Sequence, residues 1–510
     1  MLPLAQLSLD LPDTISAREV VNHLYEKYNL NEFASQTTDV TFFDSFDWRL
    51  FEKNRLCYLQ DTTLYLTDFA DRQQVPPLLL AGGPHRFWWQ FPKSDMKQAL
   101  ARILDMRAML PHTAFSQTTQ ELRIVNKDEK IVAIVLLMEL GLGSGKNIHS
   151  VRLHEVRGYN KWFLKISRGL SGFGDAQPDT RVQTLKAAMA AVGRLPMDYS
   201  SRFSVPLTPD MESLAAVKTI YQDLLTTMLA NEQGIIDDLD SEFLHDFRVA
   251  IRRTRSGLTL IKDVLDPEIS DRFKDDFRYL GQITGPMRDL DVYLLMEESY
   301  KARLPEYLQE GLYFFFEDLA KKREQELKKL VRSLREPRYQ SITNDWQEFL
   351  SGEANELQGK NSLVAIETLA RKIITKRFQR ILRDGNAINQ GSPDEELHRL
   401  RIQGKKLRYS LEFFNSLFPE QEMKKLIKQL KLLQNNLGDF NDLSVQQEML
   451  EHYLAAIKPG TVKSKKMGAA IGGLVTNLYH QHRRVRTHFE ETFARFAAKK
   501  NLALYRKLFG

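Results

Sequence analysis

The chain of 510 residues is poor in cysteine and has no long apolar run. Its only cysteine is Cys57, which excludes a disulfide framework and a cysteine-based zinc site and is typical of a reducing cytoplasm. The longest apolar run, 131–138, is far too short to span a bilayer. The N-terminus lacks the basic segment of a signal peptide and is interrupted by Asp10 and two prolines. We therefore expect a cytoplasmic protein without a membrane partner.

The composition, 43% hydrophobic and 27% charged, is typical of globular domains, and the length allows two to four of them. A net charge of +6 is too small to indicate a partner. The positive charge is instead concentrated locally, because residues 371–383 contain six basic residues and no acid, and residues 397–411 contain five and no acid. Segregated positive charge of this kind favours a polyanionic partner.

Residues 1–200 alternate between apolar and polar positions, which predicts a strand-rich domain. Leu7, Leu9 and Leu11 point to one face of a first strand. Further strands are predicted at 63–69, 87–92, 121–127, 130–140, 150–158 and 161–167. Helices are predicted at 16–28, 94–108 and 179–193. The Pro- and Ser-rich stretch 195–210 reads as a linker.

From residue 208 onward the apolar residues follow a helical period. Pro and Gly interrupt this pattern near Asp266-Pro267, 281–286, Pro305, Pro337, 385–393, Pro419, Gly438 and Pro459-Gly460. This spacing predicts about eight to ten helices, as two four-helix bundles would require. The fold class is therefore α+β and multidomain, with a β-rich first domain at 1–200 and an all-α second domain at 205–510.

One basic motif occurs twice in the second domain. It reads LHDFRVAIRRTR from Leu244 and LHRLRIQGKKLR from Leu397, and placing His245 on His398 aligns Asp289 with Asp442 without a gap. The match predicts two copies of one unit, at about 205–355 and 360–510. Two like faces related by a pseudo-twofold axis can line a single binding site.

Each copy of the motif places four basic or histidine side chains on one stripe of a helix. The spacing of three, four and three residues confines them to an arc of roughly 80°. Their mutual repulsion is offset if acids or a bound polyanion lie opposite, and Asp289, Asp291, Asp439 and Asp442 are candidate partners. Arginine pairs with two phosphate oxygens at once, and histidine beside phosphate gains charge. The alternative interpretation is a solvated helix face with structural arginine–aspartate pairs. The stripes are His245, Arg248, Arg252 and Arg255 in the first copy, and His398, Arg401, Lys405 and Arg408 in the second.

Two other groups of basic residues support a polyanion site less specifically. Lys376, Arg380 and Arg383 repeat the spacing of four and three residues on the segment before the second motif. Arg483 lies in the basic, histidine-rich segment 480–488. Each group alone is more typical of a solvated surface than of a site.

The two motifs, followed by RDLDV at 288–292 and NDLSV at 441–445, resemble the CHAD family, the conserved histidine α-helical domain. The resemblance covers about residues 205–510. It implies two pseudo-symmetric four-helix bundles with a basic channel between them that binds inorganic polyphosphate. It also implies that the eight residues of the two stripes line this channel.

Residues 1–200 resemble a degenerate form of the CYTH family of triphosphate tunnel barrels, through the opening strand–helix segment and VTFFDSFDWRLF at 40–51. The family's Glu-x-Glu-x-Lys signature is replaced by Leu4-Ala5-Gln6-Leu7-Ser8. A tunnel enzyme needs inward carboxylates to hold Mg²⁺ and inward basic residues to hold triphosphate. We therefore expect no metal site, no cofactor and no catalysis in this domain.

The favoured function is non-catalytic binding of inorganic polyphosphate, in the cytoplasm and in association with polyphosphate granules. The predicted binding set comprises the two stripes together with Lys376, Arg380, Arg383 and Arg483. One alternative is a triphosphatase or related phosphohydrolase that uses the N-terminal barrel. A second is a nucleic-acid-binding protein, which the scarcity of aromatic residues on the basic stripes disfavours, since only Tyr409 lies near. The sequence does not indicate an oligomeric state.

Overall fold

A computed structural model describes residues 6–12, 14–80, 82–83, 85–142, 147–176, 181–352 and 358–510. The chain divides into two compact units, Met1–Ser201 and Arg202–Gly510. Leu4 and Ala5, at the start of the replaced signature, lie outside the described residues. Within those residues, no helix combines the length and the apolar content that crossing a bilayer requires.

The first unit contains one antiparallel sheet with helices on its faces. Its strands are β1 Gln6–Leu11, β2 Asn29–Glu32, β3 Gln36–Asp44, β4 Arg55–Gln60, β5 Thr63–Asp68, β6 Leu78–Leu79, β7 Leu110–Val125, β8 Ile131–Leu142, β9 Asn147–Glu155 and β10 Asp175–Ala176. Its helices are α1 Ala17–Lys27, α2 Arg49–Glu52, α3 Asp95–Leu104, α4 Asn160–Leu170 and α5 Arg181–Ala191. The expected strand-rich first domain is confirmed.

The sheet pairs its strands in the order β10-β1-β9-β8-β7-β3-β4-β5-β6, with β2 beside β7, so the described strands form an open path. The three leucines of β1 lie on one face, as predicted from their alternation. Leu9 and Leu11 are buried there with Val20 and Leu24 of α1, and Leu7 packs against the same cluster. This face is a hydrophobic core between the sheet and α1 and α4.

Helix α5 covers part of the opposite face of the sheet. Its buried residues Val182, Leu185 and Met189 share a hydrophobic cluster with Phe42 of β3 and Phe115 of β7. Beside the helix remains a pocket of about 530 Å³. Ser8, Asp10, Arg152, Lys186 and several apolar side chains line this pocket.

Two predicted strands of the first unit are wrong. The segment 87–92 contains a 3-10 helix, Trp88–Gln90, and the segment 161–167 belongs to α4. Phe163, Ile166 and Leu170 are the buried residues of α4, so the burial follows a helical and not an alternating period. The helices predicted at 16–28, 94–108 and 179–193 correspond to α1, α3 and α5.

The second unit is helical throughout its described part, as expected. Its helices are α6 Ser213–Ile236, α7 Ser241–Leu260, α8 Pro267–Leu295, α9 Glu297–Lys301, α10 Glu306–Leu334, α11 Pro337–Ser351, α12 Ile366–Asn386, α13 Asp394–Phe413, α14 Glu420–Ala456, α15 Val462–Thr487, α16 Phe489–Phe496 and α17 Lys499–Phe509. A short 3-10 helix, Asn415–Leu417, follows α13.

The internal repeat of the sequence is also a repeat of helix boundaries. Helices α12, α13 and α14 each begin 153 residues after α6, α7 and α8, the same separation as between His245 and His398. Helices α7 and α13 also end at equivalent positions, Leu260 and Phe413. The two halves of the unit therefore start with three helices in the same register.

The helices of the second unit differ in two ways from the expectation. Breaks predicted near Pro286 and Gly438 are wrong, since α8 and α14 continue through these residues. The described part contains twelve α-helices rather than eight to ten, because α8 and α9 are separated only by Met296, and α15 and α16 only by His488.

The two halves also share a hydrophobic core. Phe315 and Leu319 of α10, in the first half, belong to one cluster with Leu450 of α14 and Leu474 and Leu478 of α15, in the second half. Packing between the two halves thus contributes to the fold, in addition to packing within each repeat.

Candidate functional site

Both motif segments form helices with one buried apolar edge. Asp240 begins α7, and its side chain accepts hydrogen bonds from the backbone N–H groups of Glu242 and Phe243. Phe247 and Leu258 of α7 are buried, as are Leu400, Leu407 and Leu411 of α13. This burial leaves the basic stripes on the other side of each helix, as their spacing predicts.

Polar contacts join α7 directly to α13. Arg252 Nε donates to the hydroxyl oxygen of Tyr409 at 2.7 Å. Arg253 Nη2 of α7 lies 3.0 Å from Glu412 Oε2 of α13. Within α13, the other carboxylate oxygen of Glu412 lies 2.5 Å from Arg408 Nε. These contacts bring the cationic stripes of the two repeats next to each other.

Positive charge accumulates where the two helices meet. Burial, followed by the positive charges of Arg401 and Arg252, lowers the pKa of Lys405 to about 8. Burial also lowers the pKa of Arg401, and the charge of Arg252 lowers it further, while Asp442 opposes the shift. Arg408 adds to the repulsion at Lys405. An anion at this position would relieve the repulsion.

The other two arginines of the first stripe face α8. Arg248 Nη1 donates to the carbonyl oxygen of Gly281 at 3.0 Å and to Thr284 Oγ1 at 2.8 Å. A Cβ at Gly281 would lie 3.1 Å from Arg255 Nη1, so the glycine leaves room for that guanidinium against the helix. Burial lowers the pKa of Arg248 and of Arg255. Arg248 is therefore committed to α8, whereas Arg255 is exposed.

The two histidines have equivalent positions but different partners. His245 Nδ1 lies 3.0 Å from Arg288 Nη2, and because a guanidinium can only donate, this nitrogen is the acceptor. His398 Nδ1 lies 3.1 Å from Asn441 Oδ1, so here the ring nitrogen donates. The equivalent histidines of the two repeats therefore have opposite hydrogen-bonding roles at Nδ1.

The acidic segments take part in the site only partly as expected. Asp442 Oδ1 lies 3.4 Å from Arg401 Nη2, which agrees with a role in orienting the motif arginines. Asp291 is buried and pairs instead with Arg323 of α10 at 2.7 Å. Burial raises the pKa of Asp289, and the charges of Arg248 and Arg288 oppose the shift.

Basic residues that the sequence analysis missed enlarge the site. A surface pocket of about 330 Å³ adjoins α7, and every charged side chain that lines it is basic. Lys406 follows Lys405 in the second motif, and the first motif also has two adjacent basic residues at this place. This repeated pair could have identified Lys406. The other two newly found residues are Lys274 and Arg278 of α8, and nothing in the periodicity of that helix singles them out. The basic lining residues are Arg252, Arg255, Lys274, Arg278 and Lys406.

The additional candidates lie away from the α7–α13 contact. Arg380 and Arg383 line a separate pocket of about 390 Å³, where Asp384 lies 3.5 Å and 2.8 Å from them. Lys376 is exposed on α12. Arg483 is exposed on α15, and its described contacts are with Tyr479 of the same helix. Arg483 and Lys376 therefore have the weakest structural support of the predicted set.

Residues 219–451 match the family model described as CHAD domain. Two curated Mycobacterium tuberculosis proteins, Uncharacterized protein MT2285 (strain CDC 1551 / Oshkosh) and Uncharacterized protein Rv2226 (strain H37Rv), are each 26% identical over 172 residues. This alignment covers 33% of this chain and 33% of each relative. The chain thus spans about a third of the length of the curated relatives that it matches.

Three solved structures are similar to parts of the chain. The CHAD domain from the plant Ricinus communis is 25% identical, with coverage of 58% of this chain and 96% of that one and a TM-score of 0.49. PptA from Streptomyces chartreusis is 15% identical, with coverage of 56% and 99% and a TM-score of 0.41. A putative adenylyl cyclase, HpAC1 from Hippeastrum, described with a dominant triphosphatase activity, is 12% identical, with coverage of 38% and 98% and a TM-score of 0.26.

The family match includes both motif helices, α7 and α13, and both acidic segments, 288–292 and 441–445. It therefore covers the residues on which the resemblance was based. Over residues 219–451, a little less than half of the chain, the resemblance to the CHAD domain family is confirmed.

Proposed function

We propose that residues 205–510 bind inorganic polyphosphate, without catalysis, at the contact between α7 and α13. The observation that carries this proposal is the convergence of two cationic stripes from different repeats. Arg252 reaches across to Tyr409 of α13 at 2.7 Å, and the adjoining pocket is lined by five basic side chains and no acid. Such a surface stays partly uncompensated until an anion binds.

The types of side chain favour phosphate over a nucleic-acid base. Arginine offers a planar fork to two phosphate oxygens, and lysine offers a point charge. Base recognition on a single strand relies on aromatic platforms. Tyr409 is buried, and its hydroxyl is engaged by Arg252. The described lining of the basic pocket contains no aromatic residue, which supports a ligand made of phosphate alone.

The strand-rich unit supports a role without hydrolysis. Gln6 and Ser8 of β1 lie opposite His154 and Arg152 of β9, at the positions where a tunnel enzyme would carry its acidic and basic signature. In the described residues, no group of three or more His, Cys, Asp or Glu side chains is arranged to hold a metal ion. We propose that the unit does not cleave the polymer. From the proposed binding by the helical unit, we also propose that the protein associates with polyphosphate granules in the cytoplasm.

Reversal of two charges tests the proposal. The double variant Arg252→Glu/Lys405→Glu should weaken binding of long-chain polyphosphate by roughly a hundredfold or more, since it replaces two favourable charges with two repulsive ones. Binding is measured by calorimetry, and folding by thermal melting. The matched control, Lys328→Glu/Lys329→Glu, makes the same charge change at exposed positions of α10 and should bind normally.

Affinity should also fall steeply with salt, because a polyanion releases counterions when cationic side chains replace them. A folded double variant with unchanged affinity would contradict the assignment of the site. Equal losses in the double variant and in the control would indicate a general charge effect instead.

A further inference from the structure

The pocket beside α5 in the first unit has a floor of two different chemistries. Its polar part lies on neighbouring strands, because Ser8 of β1 is opposite Arg152 of β9, and Asp10 of β1 is opposite Ser150 of β9. Residues two apart on a strand point to the same face, so these four side chains form one patch. The other strand residues that line the pocket are apolar, namely Met138, Leu140 and Ile148. The floor therefore changes from polar at β1 to apolar at β8.

Helix α5 leaves the space above this floor open, because it turns small residues towards it. Val182, Leu185 and Met189 of the helix pack into the hydrophobic core. Ala187 and Ala190, on another side of the helix, line the pocket, and a longer side chain at either position would reduce it. The remaining volume of about 530 Å³ lies within the range of small-molecule binding sites.

Apolar side chains next to the pocket remain in contact with solvent. Leu195 lines the pocket and is 64% exposed. Its neighbours Val192 and Met197 are 49% and 39% exposed. Exposure of large apolar side chains beside a concave site is unfavourable in water and is typical of binding surfaces. A ligand with an apolar body would cover Leu195 together with the apolar part of the floor.

The charges of the pocket favour an anion of low charge. Arg152 and Lys186 line it with two positive charges, and Asp10 lines it with a negative charge. The guanidinium of an arginine can donate two parallel hydrogen bonds to one carboxylate. Asp10 lies in the same patch as Arg152 and repels any further negative charge of the ligand. A triphosphate, which has several charges and no apolar part, suits neither this acid nor the apolar floor.

We propose that this pocket binds a small molecule that carries one acidic head group on an apolar body, such as an alkyl or aryl carboxylate. The head group pairs with Arg152 in the patch that also contains the hydroxyl groups of Ser8 and Ser150. The apolar body lies on the floor at Met138 and against Leu195. The site lies within the strand-rich unit and uses none of the cations assigned to polyphosphate, so it is a second function, independent of the first.

Octanoate and octanol, which differ only in the head group, test the proposal by calorimetry on the full chain. In the variant Arg152→Met, affinity for octanoate should fall roughly tenfold or more, because a charge-assisted pairing is lost. Affinity for octanol should stay within about twofold, since methionine keeps the wall apolar. The variant Lys186→Met, with the same expected direction, replaces Arg152→Met if the latter does not fold, because Lys186 is exposed on α5.

A variant that fills the pocket gives the second test. Ala187→Trp should weaken both ligands by roughly tenfold or more, because the indole ring occupies the apolar space that they need. The matched control, Ala494→Trp, makes the same substitution at an exposed position of α16 and should bind both ligands normally. In Arg252→Glu/Lys405→Glu, in which the proposed polyphosphate site is disabled, tripolyphosphate should not compete with octanoate.

Four results would overturn the proposal. They are no binding of octanoate to the unmodified protein, equal affinities in Ala187→Trp and its control, equal losses of octanoate and octanol in Arg152→Met, and competition by tripolyphosphate in the disabled variant. The last result would assign the pocket to phosphates instead. None of these results depends on whether the helical unit binds polyphosphate, so the two proposals fail separately.

Discussion

Lys405 is the side chain of the candidate site whose charge changes near neutral pH. Lys405 is half-buried beside Arg401, Arg252 and Arg408, and its pKa of about 8 lies well below the value of an exposed lysine. Asp442 is the acid that opposes this shift. A phosphate chain beside Lys405 would favour its charged form and raise its pKa. Binding should therefore take up a proton above neutral pH.

The variant Lys405→Arg tests this linkage. In the unmodified protein, affinity for polyphosphate should be constant well below pH 8. It should then weaken by up to about tenfold per pH unit, from about pH 8 up to the higher pKa of the bound state. Arginine stays charged over this range, so the variant should bind with little dependence on pH between 7 and 9.5. Calorimetry in buffers of different ionisation enthalpy measures the proton uptake. A variant that kept the full pH response would show that Lys405 does not titrate with the ligand.

At the scale of helices, the apolar pattern predicted where most helices lie but not which residues of different helices contact each other. The spacing of Leu214, Val217 and Tyr221 predicted α6, and all three are buried. It failed at α4, because a short apolar run is compatible with both a strand and a helix. It failed at Pro286 because packing along α8 outweighs the loss of one backbone donor.

The candidate site could likewise be predicted only in part from the sequence. The motif spacing identified the two stripes, because side chains three and four residues apart share a helix face. The motif spacing could not predict contacts between helices, since no periodicity encodes which residue of α13 meets which residue of α7. The pairing of Arg253 with Glu412 and the hydrogen bond from Arg252 to Tyr409 are both of this kind.

Glu412 of α13 pairs with Arg253 of α7 and so joins the two helices, and it also pairs with Arg408 of its own helix. The side chains of Glu412 and Arg253 are only 15% and 13% exposed. The variant Glu412→Ala should therefore lower the free energy of unfolding by about 2 kcal/mol, since it leaves a largely buried guanidinium without its acceptor. Urea denaturation measures the loss.

An exposed ion pair offers the comparison for Glu412. Glu420 and Lys424 lie 2.5 Å apart with side chains 71% and 72% exposed. The variant Glu420→Ala should cost less than about 1 kcal/mol. If both variants lost the same free energy of unfolding, the pairing of Glu412 between helices would stabilise the protein no more than an exposed ion pair does.

At the scale of the whole molecule, the two units differ in what they offer a phosphate ligand. The helical unit gathers cations from both repeats, whereas the sheet face of the first unit carries apolar residues under α5. Ser8 and Arg152 lie beside each other on that face. Asp10 and Lys186 also line the pocket there, but Gln6 and Ser8 of β1 stand where the tunnel-enzyme signature has a glutamate and a lysine.

The full chain should accordingly release no phosphate from tripolyphosphate in the presence of Mg²⁺ or Mn²⁺. A malachite-green assay over hours, with an active triphosphatase as the positive control, measures the release. Activity that followed the protein through purification and disappeared in Arg152→Ala would contradict a purely binding role and assign catalysis to the strand-rich unit.

The shared helix starts of the two repeats also make them interchangeable in principle. Because α6 and α12, and likewise α7 and α13, begin 153 residues apart and the latter pair ends together, the block 213–260 has the same length as the block 366–413. A chimera carrying the second block twice should keep every later helix in register and should place the basic residues of the second motif in both repeats. A folded chimera would show that the two blocks are exchangeable parts of one helical framework.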